Sequence, residues 1–397
     1  MRDQDFRLLE LIASINNLDD NYERRKYYIL NRQRLSDYNM IYVDLENGNN
    51  HASRLSDMVE MDYDFNSLFY SNRIMVMNQE VILNNFYYQP SYIKYQVCIS
   101  LDLNIVSLLK EYKDVEKCED EVLSKVIQIC KEKCCAFDIM PYVIENFLKN
   151  PKKQGLDDLS IADIRKFEEM FPYKDSRLSF RTVDIDTRMN QLLTMYRSDW
   201  FKEMCVTLYN DIYQLEYIYL LAIIHIFFKY NKLSGVNKFD KFMEFCANEI
   251  RAFHPCACNL AKLFYGNQNL RFFKKIQKSN KNIIASIENM AWDLFHLRFM
   301  EKSVELSHPN KEIVMVPIFI TKDKGLNEIR KAYQLKCLFQ NLKTGEVIAS
   351  YYMNSITEKY IKKYFNRNSI RERMESEHDF NKLSKKLEQM IIEDISD

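Results

Sequence analysis

Apolar and polar positions along the chain sort into two clear strands, several weaker ones and a long run of helices. Tyr95–Leu101 (YQVCISL) is mostly β-branched or apolar, and Ile313–Thr321 (IVMVPIFIT) is apolar through its first eight positions. Runs this short, rich in Val and Ile, suit a buried strand better than a helix. Pro317 has no N–H to give a ladder, so the second strand is expected at an edge or with a bulge. Shorter strands are expected at Met40–Leu45 and Arg73–Met77, around the turn Asn47-Gly48-Asn49, and at Tyr333–Phe339 and Glu346–Tyr352, around Lys343-Thr344-Gly345. Phe6, Leu9, Ile12 and Ile15 mark an amphipathic helix over Phe6–Leu18.

After Asn104 the period becomes helical, with Ile105, Leu108 and Leu109 opening a helix and others following at about 118–135 and 139–149. The latter has Asp138 as a cap and Pro141 in its first turn. From 151 to 280 almost every pattern is helical: Ala162–Met170, Thr187–Met195, Trp200–Tyr230, Lys238–Phe253 and Leu260–Phe264. Another helix runs from about Asn282 to Lys302, and residues 355–397 return to helix. Ile370, Met374, Leu383, Leu387, Met390 and Ile391 give the last one an apolar face, read as packing on the body of the chain, with oligomeric state left open.

Composition narrows the class. With 47% hydrophobic and 28% charged residues the chain is globular, and only six Gly and seven Pro argue against a many-turned β-sandwich. Lys and Arg together number 56, as do Asp and Glu, which excludes a uniformly basic coat for gripping duplex DNA while leaving room for a local basic groove. The most apolar run, Tyr217–Phe228, has 12 residues and falls short of the ~20 needed to span a bilayer. The N-terminus MRDQDFRLLELI lacks a basic start followed by an apolar core. The chain is therefore expected to be soluble and cytoplasmic, with no membrane partner. Its ten Cys show no disulfide framework and read as reduced thiols.

Four acids stand at strand ends or where a helix should be apolar. Asp102 closes YQVCISLD, Glu145 lies in PYVIENFLK, Asp293 in NMAWDLFHLRFME, and Asp323 follows the strand in IFITKD. Singly, Asp102 could cap a helix, Asp323 could serve the turn Asp-Lys-Gly, and Glu145 could be solvated. Asp293 falls within the stripe Met290, Leu294, Leu297, Met300, where a carboxylate must be paired or metal-bound. Strand-end loops of an open α/β sheet converge at its carboxyl edge. Carboxylates gathered there suit Mg²⁺ or Mn²⁺, which bind phosphate oxygens and activate water for phosphodiester hydrolysis.

The order of these acids resembles the PIN-domain nucleases. In that family a first strand ends in Asp-x-Asn, matched by Asp102 and Asn104; a mid-domain helix carries Glu, matched by Glu145; a later helix carries Asp, matched by Asp293; and a strand ends in Thr-x-Asp, matched by Thr321 and Asp323. The resemblance implies a Rossmann-like parallel sheet flanked by helices and a metal-dependent endonuclease that acts mostly on RNA. It makes Asp102, Glu145, Asp293 and Asp323 the metal ligands and catalytic acids, with Asn104 and Thr321 orienting them. Lys322, Lys324 and Arg298 lie close enough in sequence to contact substrate phosphates, although each also reads as a solvated surface charge. The implied layout is an N-terminal extension (1–92), a first segment of the nuclease core (93–150), a helical insertion (151–280), a second segment of the core (281–355) and a C-terminal helical segment (356–397). The match covers roughly 93–150 and 280–355. The chain departs from the family in separating Glu145 and Asp293 by 148 positions, which leaves Asp138 as the substitute mid-domain acid.

Several microbial PIN-like proteins are toxins or anti-phage effectors, so a triggered RNA-cleaving role with a regulatory protein partner is one expectation. Single-stranded or structured RNA is favoured by the abundance of Tyr and Phe (26 and 25). The alternatives are a DNA-directed nuclease of the same fold and a non-catalytic helical sensor or scaffold whose acids form structural pairs. Zinc at Cys246, His254, Cys256 and Cys258 lacks a familiar ligand spacing. An Arg251–His254 dyad is disfavoured because Pro255 follows directly.

Overall fold

The computed structural model describes residues 3–16, 18, 20–43, 53–54, 65–69, 73–86, 94–109, 120–132, 135–149, 156–171, 174–175, 181–182, 184–306, 313–353, 355–365 and 379–396. The turn Asn47-Gly48-Asn49, and Ile370 and Met374 of the terminal apolar face, lie outside them.

Along the chain, α1 (Asp3–Asn16) and α2 (Asn21–Leu30) precede β1 (Tyr38–Val43), β2 (Ser53–Arg54), β3 (Phe65–Ser67) and β4 (Arg73–Met77). Then come α3 (Gln79–Phe86), β5 (Lys94–Leu101), α4 (Leu103–Leu108), α5 (Glu121–Glu132), β6 (Ala136–Asp138) and α6 (Met140–Lys149). The helical stretch holds α7 (Asp158–Met170), the small pair β7 (Lys174–Asp175) and β8 (Arg181–Thr182), and then α8 (Ile185–Arg197), α9 (Asp199–Leu208), α10 (Gln214–Lys229), α11 (Gly235–Phe245) and α12 (Pro255–Gly266). The chain closes with α13 (Ile283–Leu306), β9 (Ile313–Ile320), α14 (Lys324–Ile329), β10 (Leu335–Asn341), β11 (Val347–Tyr351), α15 (Ser355–Tyr364) and α16 (Phe380–Ser396).

The fold is mixed α/β with two main sheets. One has the order β3-β9-β5-β6, in which β9, β5 and β6 are parallel and β3 is antiparallel to β9. From β5 the chain crosses through α4 and α5 to β6 on one side, and it returns to β9 on the other side only after the helical stretch. The carboxyl ends of β5 and β9 therefore lie side by side at a point where strand order reverses, and Asp102 N donates to Ile320 O at 3.0 Å.

Pro317 corrects the expectation of an edge or bulge. β9 lies between β3 and β5, and its register with β5 runs unbroken through Pro317 opposite Cys98. The Pro317 carbonyl accepts from Leu68 N at 3.3 Å, so the missing N–H faces the β3 side, just beyond where β3 pairing ends. No bond to β5 is lost.

The second sheet, order β11-β10-β1-β4-β2, is antiparallel throughout. Its residues alternate as the strand period requires: Met40, Tyr42 and Phe339 face a small core with Ile12, Ile15 and Tyr28 of α1 and α2, while Ile41, Val43 and Leu338 join the main core. The strands β1 to β4 are thus integral to the two sheets, since β1 pairs with β10 and β4, β2 with β4, and β3 with β9.

The helix expected over Trp200–Tyr230 is present. Asp199–Lys229 forms a 31-residue helical stretch, long and apolar enough to cross a membrane by length and composition, and its most apolar window is 83% buried inside the protein. α16 covers part of it through Leu387 and Ile391, with hydrogen bonds Gln214–Asn381 (2.6 Å), Tyr217–Glu388 (2.9 Å) and His225–Asp394 (2.6 Å) at its border.

Candidate functional site

β5 is buried from Val97 to Leu101 and ends where Asp102 takes an extended conformation, so this carboxylate sits at the carboxyl edge of the parallel strands. Asp102 occupies the cap position of α4 yet makes no side-chain cap bond. Its Oδ2 instead accepts from Thr321 Oγ1 at 2.6 Å and from Asn104 Nδ2 at 3.2 Å. Thr321, fully buried at the end of β9, also accepts from Asp323 N at 3.0 Å. One hydroxyl thereby ties the two strand-end acids together.

Asp323 does cap its helix. Oδ1 accepts from Gly325 N and Leu326 N at 2.6 and 3.1 Å, and Oδ2 makes no hydrogen bond to a described residue. Gly325 is required by space: a Cβ there would stand 2.9 Å from Phe272 N.

Glu145 and His296 come from helices far apart in sequence. Glu145, on the buried face of α6, places Oε2 2.7 Å from His296 Nε2 of α13, and Oε1 is paired with Lys149 one turn further along α6. The His296 ring stacks on Phe319 of β9 at 5.3 Å, and its Nδ1 is buried without a hydrogen-bond partner. Asp293 lies one turn before His296, partly exposed, with no hydrogen bond or ion pair to a described residue.

Electrostatics show that these groups share one field. Burial pushes the Asp293 carboxyl well above the carboxylate range, and Asp102, Asp323 and Glu145 push it further while His296 opposes them. Asp102 is raised by burial, with His296 and Thr321 offsetting and Glu145 adding to the rise. Burial would raise Glu145 as well, but His296 and Lys149 outweigh it and hold the group at about 2. His296 is pulled down by burial, yet Glu145, Asp102 and Asp293 prevail and keep it above its ordinary value. The four acids singled out in the sequence are therefore neighbours electrostatically, with His296 among them.

The other candidate residues divide. Asp138 belongs to a different cluster: its Oδ1 accepts from Met140 N at 2.8 Å, and burial, with Glu168 adding, raises it to about 6. Glu145, not Asp138, is the mid-domain acid in the group. Lys322, on the loop bearing Asp323, and Lys324, the first residue of α14, are exposed, and Lys322 pairs with Asp120. Arg298 is a correction, because it is committed elsewhere and is neither solvated nor open to a phosphate. It is largely buried, 3.4 Å from Glu216 and 2.7 Å from Glu301.

The Cys246, Cys256 and Cys258 thiols are core groups raised by burial, and His254 Nδ1 accepts from Ala257 N as the cap of α12. Arg251 takes a left-handed conformation (φ 58°) between two helical segments, outside any helical dyad.

His296 and Lys149 were not singled out by the sequence pattern. The available signal was spacing: His296 follows Asp293 by three and Lys149 follows Glu145 by four, so each shares a helix face with an acid.

For a divalent cation, the donor chemistry fits. The acids that act on Asp293 supply hard carboxylate oxygens, and among the described residues His296 Nδ1 is buried without a hydrogen-bond partner. Among the described residues, however, no three His, Cys, Asp or Glu side chains are drawn together tightly enough to hold a metal ion, because Glu145 is turned to His296 and Lys149. No protein-family model, no characterised protein and no solved structure matches this chain.

Proposed function

We propose that this chain is a divalent-metal-dependent nuclease of PIN type, with a Rossmann-like core built on β6, β5 and β9 and with RNA as its favoured substrate. The observation that carries the reading is Asp293: an unpaired carboxylate in the combined field of Asp102, Asp323 and Glu145. Such surroundings keep the group protonated unless a cation offsets the repulsion. Mg²⁺ or Mn²⁺, when bound, would neutralise phosphate charge and lower the pKa of an attacking water.

Each residue has a role in this reading. Asp102 and Asp323 are held in fixed relation by Thr321, Asp293 is partly exposed, and Glu145 is oriented by His296. Lys322 and Lys324, exposed on either side of Asp323, provide positive charge for substrate phosphates.

A second reading is favoured by one observation. Glu145 already has two cationic partners, as expected of a non-catalytic scaffold whose acids are structural pairs. Cleavage of labelled total RNA and single-stranded DNA in Mn²⁺, Mg²⁺ or EDTA separates the two. A nuclease cuts with metal and loses cutting in Asp102→Asn and Asp323→Asn. A scaffold leaves every substrate intact in all three conditions.

A further inference from the structure

Glu145 is held by two partners through different oxygens. Oε2 meets His296 Nε2 at 2.7 Å within the core, whereas Oε1 meets Lys149, whose side chain is 35% exposed against 5% for Glu145. Only the lysine can leave without opening the core. Its Nζ already lies 5.5 Å from the centroid of Trp292, the residue preceding Asp293, so a second cation-accepting surface is within reach of a small rotation of its flexible stem. When Lys149 leaves Oε1, His296 still fixes Oε2, and the freed oxygen belongs to a carboxylate already in the field of Asp293 and Asp102.

Resting on the metal-site reading above, we propose that Lys149 is a built-in counter-ion: it occupies Glu145 in the metal-free protein and is displaced toward Trp292 when a divalent cation is taken up. Lys149 is then a positioning residue that sets cation affinity through Glu145. It stabilises the metal-free protein by pairing with the charge on Glu145, and the same pairing weakens cation uptake. This accounts for both unusual features of the cluster, namely the unpaired Asp293 and the doubly paired Glu145.

The test is calorimetric titration of Mn²⁺ alone into the full chain as wild type, Lys149→Met, Lys149→Gln, Lys149→Arg and Asp102→Asn, with melting curves of each in EDTA. The expected result is Mn²⁺ binding about three- to tenfold tighter in Lys149→Met and Lys149→Gln, the range for losing one partly exposed ion pair. Both should also melt lower than wild type in EDTA. Lys149→Arg, which keeps the charge, should stay near wild-type affinity. Unchanged or weaker binding in both neutral variants, with Asp102-dependent binding in wild type, overturns the counter-ion and leaves the metal site standing. No Mn²⁺ binding by wild type or by either neutral variant overturns the metal site, and the counter-ion with it.

Discussion

A single hydroxyl joins the two acids on which the site is built. Thr321 is fully buried, donating to Asp102 Oδ2 and accepting from Asp323 N, so Thr321→Val strands a backbone donor and leaves Asp102 Oδ2 only the longer bond from Asn104. The expected cost is about 1–3 kcal/mol in urea unfolding, with Thr321→Ser recovering most of it. A loss shared equally by Ser and Val would assign the effect to packing of the methyl group instead. A second residue-scale prediction concerns Glu216. One buried guanidinium, Arg298, faces both Glu216 and Glu301, so it cannot fully satisfy either, and burial lifts Glu216 to about 7 despite that neighbour and the Tyr333 hydroxyl. A carboxyl raised in the folded state favours folding while protonated. Its contribution is complete below its unfolded value and is lost as pH rises through the folded one. Wild type should therefore lose stability relative to Glu216→Gln between about pH 4.5 and pH 7, by on the order of 3 kcal/mol. Parallel pH profiles for the two proteins in urea unfolding would contradict this.

Among elements, the terminal helix is the clearest example of structure held by one face. Leu387 is fully buried against α10, a helix whose own residues are mostly buried and apolar. Leu387→Ala should cost about 2–5 kcal/mol, read from chemical denaturation, whereas Ile392→Ala on the exposed side of the same helix should cost little. Equal effects would mean that α16 is not seated as described. Elements with a strong period were legible in the sequence: β5, β9, β10 and α16 start or end within a few residues of their patterns. Asp102 and Asp323 were legible for the same reason, because a strand's end is marked where its apolar run stops. The Glu145–His296 pair was not legible. It spans 151 positions and depends on the packing of α6 beside α13, which no local pattern encodes. Pro317 misled because a proline rule for edges holds residue by residue along a strand, and β9 loses its β3 neighbour at that point.

At the scale of the molecule, the N-terminal segment and the helical stretch support the acids rather than adjoining them. β1 and β4 complete the sheet of β10 and β11, β3 flanks β9, and α10 packs against the α13 that carries Asp293 and His296. A chain lacking residues 1–92 leaves the apolar edges of β9 and β10 uncovered, and it should show no cooperative unfolding transition in urea. A sharp transition from that truncated chain would mean that the remainder folds by itself. Everything proposed for function rests on Asp102 and Asp323, at the carboxyl ends of β5 and β9, forming a divalent-cation site with Glu145 of α6 and Asp293 of α13. The decisive experiment is a crystal structure of the full chain soaked in Mn²⁺, with anomalous difference maps recorded at the manganese edge. A peak is expected among Asp102, Asp293 and Asp323, with Lys149 moved off Glu145. A map with no peak there, and Glu145 still paired with both His296 and Lys149, would contradict the proposal.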